Sequence, residues 1–107
     1  MKPKTHEQWE KALSHFKNAE ELLKDEKFDE AEQQARLASF WGFDAMLKLS
    51  KELEMDDLNT IAWNVFHAGA ERESRGHYTP KENIEWCRGI LKQFTAELPP
   101  DTFRPFR

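Results

Sequence analysis

Residues 9–49 read WEKALSHFKNAEELLKDEKFDEAEQQARLASFWGFDAMLKL, and the spacing of the apolar residues in this stretch decides the fold. Two series of apolar residues recur at intervals of three, four or seven, which is the period of one face of an α-helix. The series are Trp9, Ala12, Phe16, Ala19 and Leu23, and then Ala31, Ala35, Ala38, Ala45 and Leu49. The polar segment KDEK at 24–27 separates them. The stretch therefore predicts two helices joined by a short turn.

The second of these helices carries more apolar residues than one face can hold. The additional ones are Leu37, Phe40, Trp41, Phe43 and Leu47. A helix that is apolar on several sides is buried on several sides, so we predict that this one is the central helix of the fold. Its alanines would let the first helix approach closely. Gly42 costs about 1 kcal/mol of helix propensity relative to alanine, and it indicates either close packing at that point or a hinge.

The rest of the chain predicts two more helices. The apolar residues of the third are Leu58, Ile61, Ala62, Val65, Phe66 and Gly69, and those of the fourth are Ile84, Cys87, Leu91, Phe94 and Leu98. Candidate capping residues mark the start of each of the four predicted helices. The side chains of such residues satisfy free backbone amides of the first turn. The predicted caps are Thr5 with Gln8, Asp29 with Glu32, Asp56 or Asp57, and Thr79 followed by Pro80 and Glu82.

These signals together predict one all-α domain over residues 1–107, an antiparallel bundle of four, or at most five, helices. The predicted helices span roughly 5–24, 29–53, 57–72 and 80–97. Residues 98–107 form a tail, because its prolines cannot continue the last helix. Phe103 and Phe106 in this tail would pack either on the bundle or on a partner.

The composition narrows the class of protein. Charged residues make up 34% of the chain and its net charge is −4, which argues against a protein that coats nucleic acid by bulk charge. Cys87 is the single cysteine, so no internal disulfide forms, and His6 and His15 have no partner at metal-ligand spacing. Neither a signal peptide nor a membrane span is recognisable. The sequence predicts a complete, cytoplasmic protein with no membrane partner.

The hairpin at 9–49 resembles the first helical hairpin of HEPN domains, small all-α proteins of prokaryotic defence and toxin–antitoxin systems. Their typical run is A-x-x-LL, a turn with an aromatic residue, a Q-Q/A-A-E-like segment and a K-A-L-like end. The matching residues are Ala19, Leu22, Leu23, Phe28, Ala31, Gln34, Ala35, Ala45 and Leu47. A tetratricopeptide unit has similar features, but residues 57–98 do not repeat the pattern, and stacked repeats need neighbours.

Residues 72–77, RESRGH, supply the second part of the resemblance. Many HEPN domains carry an Arg, a polar residue, three to five further residues and a His near the junction into the last core helix. Arg72 and His77 match this motif in spacing and in position, and the resemblance extends to about residue 98. Glu73 departs from the Asn, Asp or His that the family more often has after the Arg. It would hold Arg72 in place, but it would also repel an RNA backbone.

The resemblance implies a metal-independent endoribonuclease without a cofactor, which leaves a 2′,3′-cyclic phosphate and a 5′-hydroxyl. His77 would move the proton of the 2′-hydroxyl and Arg72 would stabilise charge on the phosphate. Arg75 and Tyr78 would contact the RNA. HEPN domains dimerise so that two motifs face each other across a twofold axis, which implies a homodimer. The implied partners are an RNA substrate and a cognate antitoxin of the nucleotidyltransferase type.

Each site residue also has a structural interpretation. Arg72 would interact with the dipole of the third helix, and His77 would cap its carbonyls. Arg75 would be solvated, and Tyr78 would be a core anchor. In one HEPN subgroup a modified Tyr lies two residues after the His, whereas here Tyr78 follows His77 directly. His67 would either pack or approach the site.

Two tryptophans lie off the main apolar stripes. Trp63 and Trp86 would be exposed, and a dimer interface is a more common use of such residues than stacking on bases. Two other function classes remain open from the sequence. One is a non-catalytic helical binding module, such as a nucleotidyltransferase partner or an antitoxin-associated subunit. The other is a designed or scaffold-like bundle with no site.

Overall fold

Four α-helices make up most of residues 5–106, the part of the chain that the computed structural model describes. They are α1 (His6–Lys24), α2 (Phe28–Glu52), α3 (Asp56–Arg75) and α4 (Pro80–Glu97). No strand occurs within these residues. The all-α, four-helix prediction is confirmed, and every connection between helices is short.

Helix α2 is the central helix, as its apolar excess predicted. It packs against α1, α3 and α4, whereas α3 and α4 barely touch each other. The alanine stripe of α2 is completely buried, and the most extensive contact of α2 as a whole is with α1. The second apolar set is only partly covered: Trp41, Phe43 and Leu47 are half-buried, but Phe40 remains 57% exposed. One side of the central helix thus lacks a full complement of neighbours.

Gly42 marks close packing between α2 and α4, which is the first of the two predicted explanations. A Cβ atom built on this glycine would lie 2.9 Å from Cδ2 of Leu91 and 3.4 Å from Cδ2 of Phe94. Contacts of 2.9 Å are shorter than packed carbon atoms tolerate. The absence of a side chain therefore lets α4 approach the central helix.

The two turns that flank α2 share a backbone motif that the sequence did not predict. The amide of Lys27 donates to the carbonyl of Leu22, and the amide of Glu26 donates to that of Leu23, both at 3.0 Å. This pairing is a Schellman motif, and its left-handed position is held by Glu26 at φ 58° rather than by glycine. The turn after α2 repeats the motif, with Glu54 at φ 54°.

Only α4 begins with a side-chain cap among the four helices. The hydroxyl of Thr79 accepts from the amide of Glu82 at 3.2 Å, and the Glu82 carboxylate accepts from the Thr79 amide at 2.9 Å. The other predicted caps are wrong. Thr5 precedes α1 with near-helical dihedral angles that do not direct its side chain onto the first turn, and α2 and α3 begin after Lys27 and Met55.

The C-terminal tail packs on the bundle, which is one of its two predicted positions. Phe103 stacks on Trp9 with ring centroids 5.6 Å apart, and Phe106 meets Phe16 edge-on at 5.0 Å. The indole Nε1 of Trp9 donates to the carbonyl of Arg104 at 2.6 Å. These contacts make the tail a strap across α1 that covers Trp9 and Phe16.

Candidate functional site

The candidate site lies where α3 ends and α4 begins. Arg72 is in the last turn of α3, which continues to Arg75, three residues beyond the predicted end. Gly76 ends the helix with φ 144°, a conformation that other residues rarely adopt. The capping box at Thr79 then starts α4. A glycine-ended helix and a strongly capped one therefore fix both sides of the connection that carries His77 and Tyr78.

The guanidinium of Arg72 is held by its own chain. Its central carbon lies 3.6 Å from the centre of the Tyr78 ring and 5.0 Å from that of Trp86, distances typical of cation–π contacts. Nη1 donates to Oδ1 of Asn83, and Nη2 donates to the carbonyl of Glu82 at 3.4 Å. Arginine has five N–H donors, so these bonds leave others available while fixing the direction of the group.

Asn83 connects Arg72 to the central helix. This side chain is buried, and its Nδ2 donates to Oε2 of Glu32 at 2.5 Å while its Oδ1 accepts from Arg72. A carboxylate can only accept and a guanidinium can only donate, so the two neighbours determine the orientation of the amide. The chain Glu32–Asn83–Arg72 thus joins α2, α4 and α3 at one point.

His77 lies in the same connection but is not held. Its side chain is exposed and forms no hydrogen bond, ion pair or ring contact with residues 5–106. It therefore does not cap the carbonyls of α3, which was its structural interpretation. An unengaged imidazole, five residues along the chain from a fixed guanidinium, can meet a ligand without first breaking an intrachain bond.

The other predicted site residues are less closely connected with Arg72. Arg75 pairs with Glu71 at 2.7 Å on the exposed side of α3. Glu73 pairs with Arg36 of α2 at 2.5 Å, so it does not hold Arg72 in place, as one interpretation of that residue required. Tyr78 is 38% exposed and forms the platform under Arg72 instead of a core anchor. His67 contacts the rings of Trp63 and Phe66.

Two ionisable groups near the site have shifted pKa values. Hydrogen bonds from the backbone and the side chain of Thr79 lower the pKa of Glu82, which keeps that carboxylate ionised beside Arg72. Burial raises the pKa of the Cys87 thiol, and this residue belongs to the core, as its apolar stripe predicted. Cys87 is therefore a neutral packing group and not a nucleophile.

Sequence reasoning missed Asn83 and Glu32 and did not connect Trp86 with Arg72. One signal for Asn83 was present: it precedes Ile84 and lies four residues before Cys87, on the buried side of α4. A buried amide needs hydrogen-bond partners, so a polar network at this point could have been predicted. The identity of the partners could not, because they come from two other helices.

Comparisons with known proteins add no relative: no family model matches the chain, and neither a curated protein nor a solved structure shows significant similarity to it. The resemblance to HEPN domains thus rests on the residues quoted above.

Between residues 5 and 106, no three His, Cys, Asp or Glu side chains form a group that could hold a metal ion. In the same residues, no helix has the length and apolar character to cross a membrane.

Proposed function

We propose that this chain is a metal-independent endoribonuclease of the HEPN type, which acts as a homodimer in a toxin–antitoxin or defence system. His77 and Arg72 are its catalytic residues, and Tyr78 and Arg75 contact the RNA. The observation that supports this proposal best is the contrast between two side chains five positions apart, one at the end of α3 and one in the connection that follows it. The guanidinium of Arg72 is fixed by Tyr78 and Asn83, while the imidazole of His77 is exposed and unengaged.

The proposed reaction is an intramolecular transesterification followed by product release. His77 removes the proton of the 2′-hydroxyl, and the resulting oxygen attacks the adjacent phosphorus. The bond from phosphorus to the 5′-oxygen breaks, and that oxygen takes a proton to become the 5′-hydroxyl. The products are a 2′,3′-cyclic phosphate and a 5′-hydroxyl end. Arg72 donates to the phosphate oxygens while negative charge develops on them. A second copy would supply the proton donor from its own His77.

Replacing His77 with alanine tests the proposal. In a buffer that contains a chelator, the wild-type protein is expected to cleave single-stranded RNA. His77→Ala should lower the rate by about 10²-fold or more, the usual contribution of a general base. The rate is measured from the release of a fluorescently labelled product, and the 2′,3′-cyclic phosphate is identified by mass spectrometry.

A second histidine provides the matched control for this assay. His15 bonds to Gln34 at 2.8 Å between α1 and α2, away from the α3–α4 connection, so His15→Ala should keep the wild-type rate. Cleavage that survives His77→Ala, or that His15→Ala removes equally, would contradict the role of His77.

One observation favours a second candidate function, a non-catalytic helical interaction module. Arg72 already has two hydrogen bonds and two aromatic neighbours within its own chain. Such an arginine serves to attach the end of α3 to α4, where the two helices otherwise barely touch. In that case the motif is structural, and the function lies in binding a partner such as a nucleotidyltransferase.

Two substitutions of Arg72, assayed for both stability and RNA cleavage, distinguish the two roles of this residue. The substitution leaves Oδ1 of the buried Asn83 without its donor, which costs about 1–3 kcal/mol of the free energy of unfolding. We expect this loss in urea denaturation under both proposals. In Arg72→Lys the charge is kept, but a lysine cannot reproduce the forked contacts. If the wild type cleaves RNA and Arg72→Lys is fully folded but does not cleave it, the catalytic role of Arg72 is supported. A stability loss in Arg72→Ala together with an inactive wild type supports the interaction module.

A further inference from the structure

The middle segment of α3 carries no charged side chain. Residues 58–70, LNTIAWNVFHAGA, contain no Asp, Glu, Lys or Arg, in a chain where these residues make up 34%. Half of these positions are exposed. The neighbouring stretch 37–43 of α2, LASFWGF, is uncharged as well. Exposed helix surfaces normally carry charges, so two adjacent uncharged segments indicate a surface that is covered in the working molecule.

Aromatic side chains join these segments into one surface, which we call the aromatic face. Its residues are Phe40, Phe43, Trp63, Phe66 and Trp86. The ring of Phe43 lies 5.1 Å from that of Trp63 and 5.3 Å from that of Phe66. Phe40, Phe66 and Trp86 line a groove of about 350 Å³ between α3 and α4, which exists because these helices are splayed apart. Half-exposed rings therefore stand beside a concave groove whose lining is mostly apolar but includes the paired charges of Arg36 and Glu73.

The exposed rings of the aromatic face amount to about half of the area that a standard dimer buries per partner. Phe40, Phe66, Trp63 and Trp86 are 57%, 50%, 41% and 37% exposed. An aromatic side chain buries about 150–250 Å², so their exposed parts amount to about 400 Å². A standard interface buries about 800 Å² per partner, of which somewhat more than half is apolar. The four rings alone thus provide most of the apolar area of one side.

The lack of charge favours a second copy of this chain as the occupant. A twofold interface places each patch opposite its own copy, so a charge near the axis would meet a like charge. This chain has a net charge of −4, and none of the aromatic-face residues is charged. Of the charged residues that line the groove, Arg36 and Glu73 neutralise each other and Arg72 is bonded to Asn83, so two copies can meet there with little like-charge repulsion. The same face carries rings and a groove, and these are the complementary parts that a self-matching interface requires.

We propose that two copies associate through the aromatic face, with Phe66 near the twofold axis and rings of one copy seated in the groove of the other. Arg72 and Trp86 also line this groove, so each copy would border the candidate site of its partner. The consequence for RNA cleavage rests on the proposed function, whereas the interface itself does not.

The molar mass in solution tests the interface. The wild type is expected to have twice the monomer mass in light scattering after gel filtration at about 100 μM, a concentration that reveals even a weak dimer. Phe66→Arg should shift it to the monomer mass, because two arginines would then meet near the axis. Ala70→Arg should do the same without removing a packed ring, since Ala70 is exposed on the groove wall.

A third variant is the matched control. Leu53 is 41% exposed in the turn after α2, so Leu53→Arg changes an equally exposed apolar residue outside the face and should stay dimeric. A monomeric wild type, whether or not it binds another protein, would overturn the proposal. So would a dimer that persists in Ala70→Arg, or one that Leu53→Arg also dissociates. A dimer that does not cleave RNA would leave the interface intact and refute only the proposed activity.

Discussion

Replacing Trp9 with alanine is expected to lower the free energy of unfolding by about 3–5 kcal/mol, the usual cost of removing a large buried aromatic side chain. Trp9 is completely buried, stacks on Phe103 and donates from its indole nitrogen to the carbonyl of Arg104. Its loss leaves a cavity, removes the platform under Phe103 and breaks a hydrogen bond that holds the tail. Urea denaturation followed by circular dichroism measures the change.

Trp63→Ala is the matched control for this prediction. Trp63 is 41% exposed, and its contacts are with Phe43, Phe66 and His67 at the surface. Because it leaves no enclosed cavity, the substitution should cost about 1 kcal/mol or less. The measurement belongs at low protein concentration, so that association does not contribute. Equal losses of unfolding free energy in the two variants would contradict the larger structural role assigned to Trp9.

Introducing valine at position 42 should destabilise the fold by about 1–3 kcal/mol, a typical cost of overpacking a core. Even the Cβ atom would lie 2.9 Å from Leu91, and the two methyl groups of valine need still more room between α2 and α4. The gain in helix propensity over glycine, about 0.5 kcal/mol, is too small to offset this. The change is measured as a lower urea midpoint with an unchanged slope.

Gly89 supplies the control, because it is a second helical glycine with open space around it. A Cβ atom at Gly89 meets nothing within 4 Å, so Gly89→Ala should raise the free energy of unfolding by up to about 1 kcal/mol. Leu91→Ala should cost less free energy of unfolding in the Gly42→Val background than in the wild type, since the Leu91 side chain is the first group that the valine meets. Additive losses in the double variant would contradict the proposed steric cause.

Helix content and the core could be predicted because they depend on local periodicity. The stripe from Trp9 to Ala19 and the stripe from Ile84 to Phe94 are buried as their spacing indicated. Phe66 was assigned to the core face of α3, yet it is 50% exposed, because α3 packs on α2 alone and leaves the side toward α4 open. Periodicity identifies an apolar face but does not say whether the molecule contains a partner for it.

The ends of the helices were predicted less well than the helices themselves. Asp29 and Asp56 have the chemistry of caps, but Asp29 is the second residue of α2 and Asp56 the first residue of α3, where a carboxylate interacts favourably with the helix dipole instead. Glu26 and Glu54 adopt left-handed dihedral angles. These could not be predicted from the sequence, because glycine is the usual residue at such positions.

For the candidate site, the sequence predicted the residues of the connection but not their partners. Arg72, His77 and Tyr78 were predicted together because they are close in the chain, and the structure places the Arg72 guanidinium over the Tyr78 ring. The bonds from Arg72 to Asn83 and from Asn83 to Glu32 depend on how three helices meet. No rule of spacing relates positions 32, 72 and 83, so this network required the structure.

The strap formed by the tail has a consequence for how the chain folds during synthesis. The hydrogen bond from Trp9 to Arg104 spans 95 positions, and Phe103 covers the same indole ring. As the ribosome produces the chain from its N-terminus, Trp9 is made early and its cover is made late. The α1–α2 hairpin therefore emerges with an uncovered tryptophan, and the native core closes only after residue 104 has left the exit tunnel.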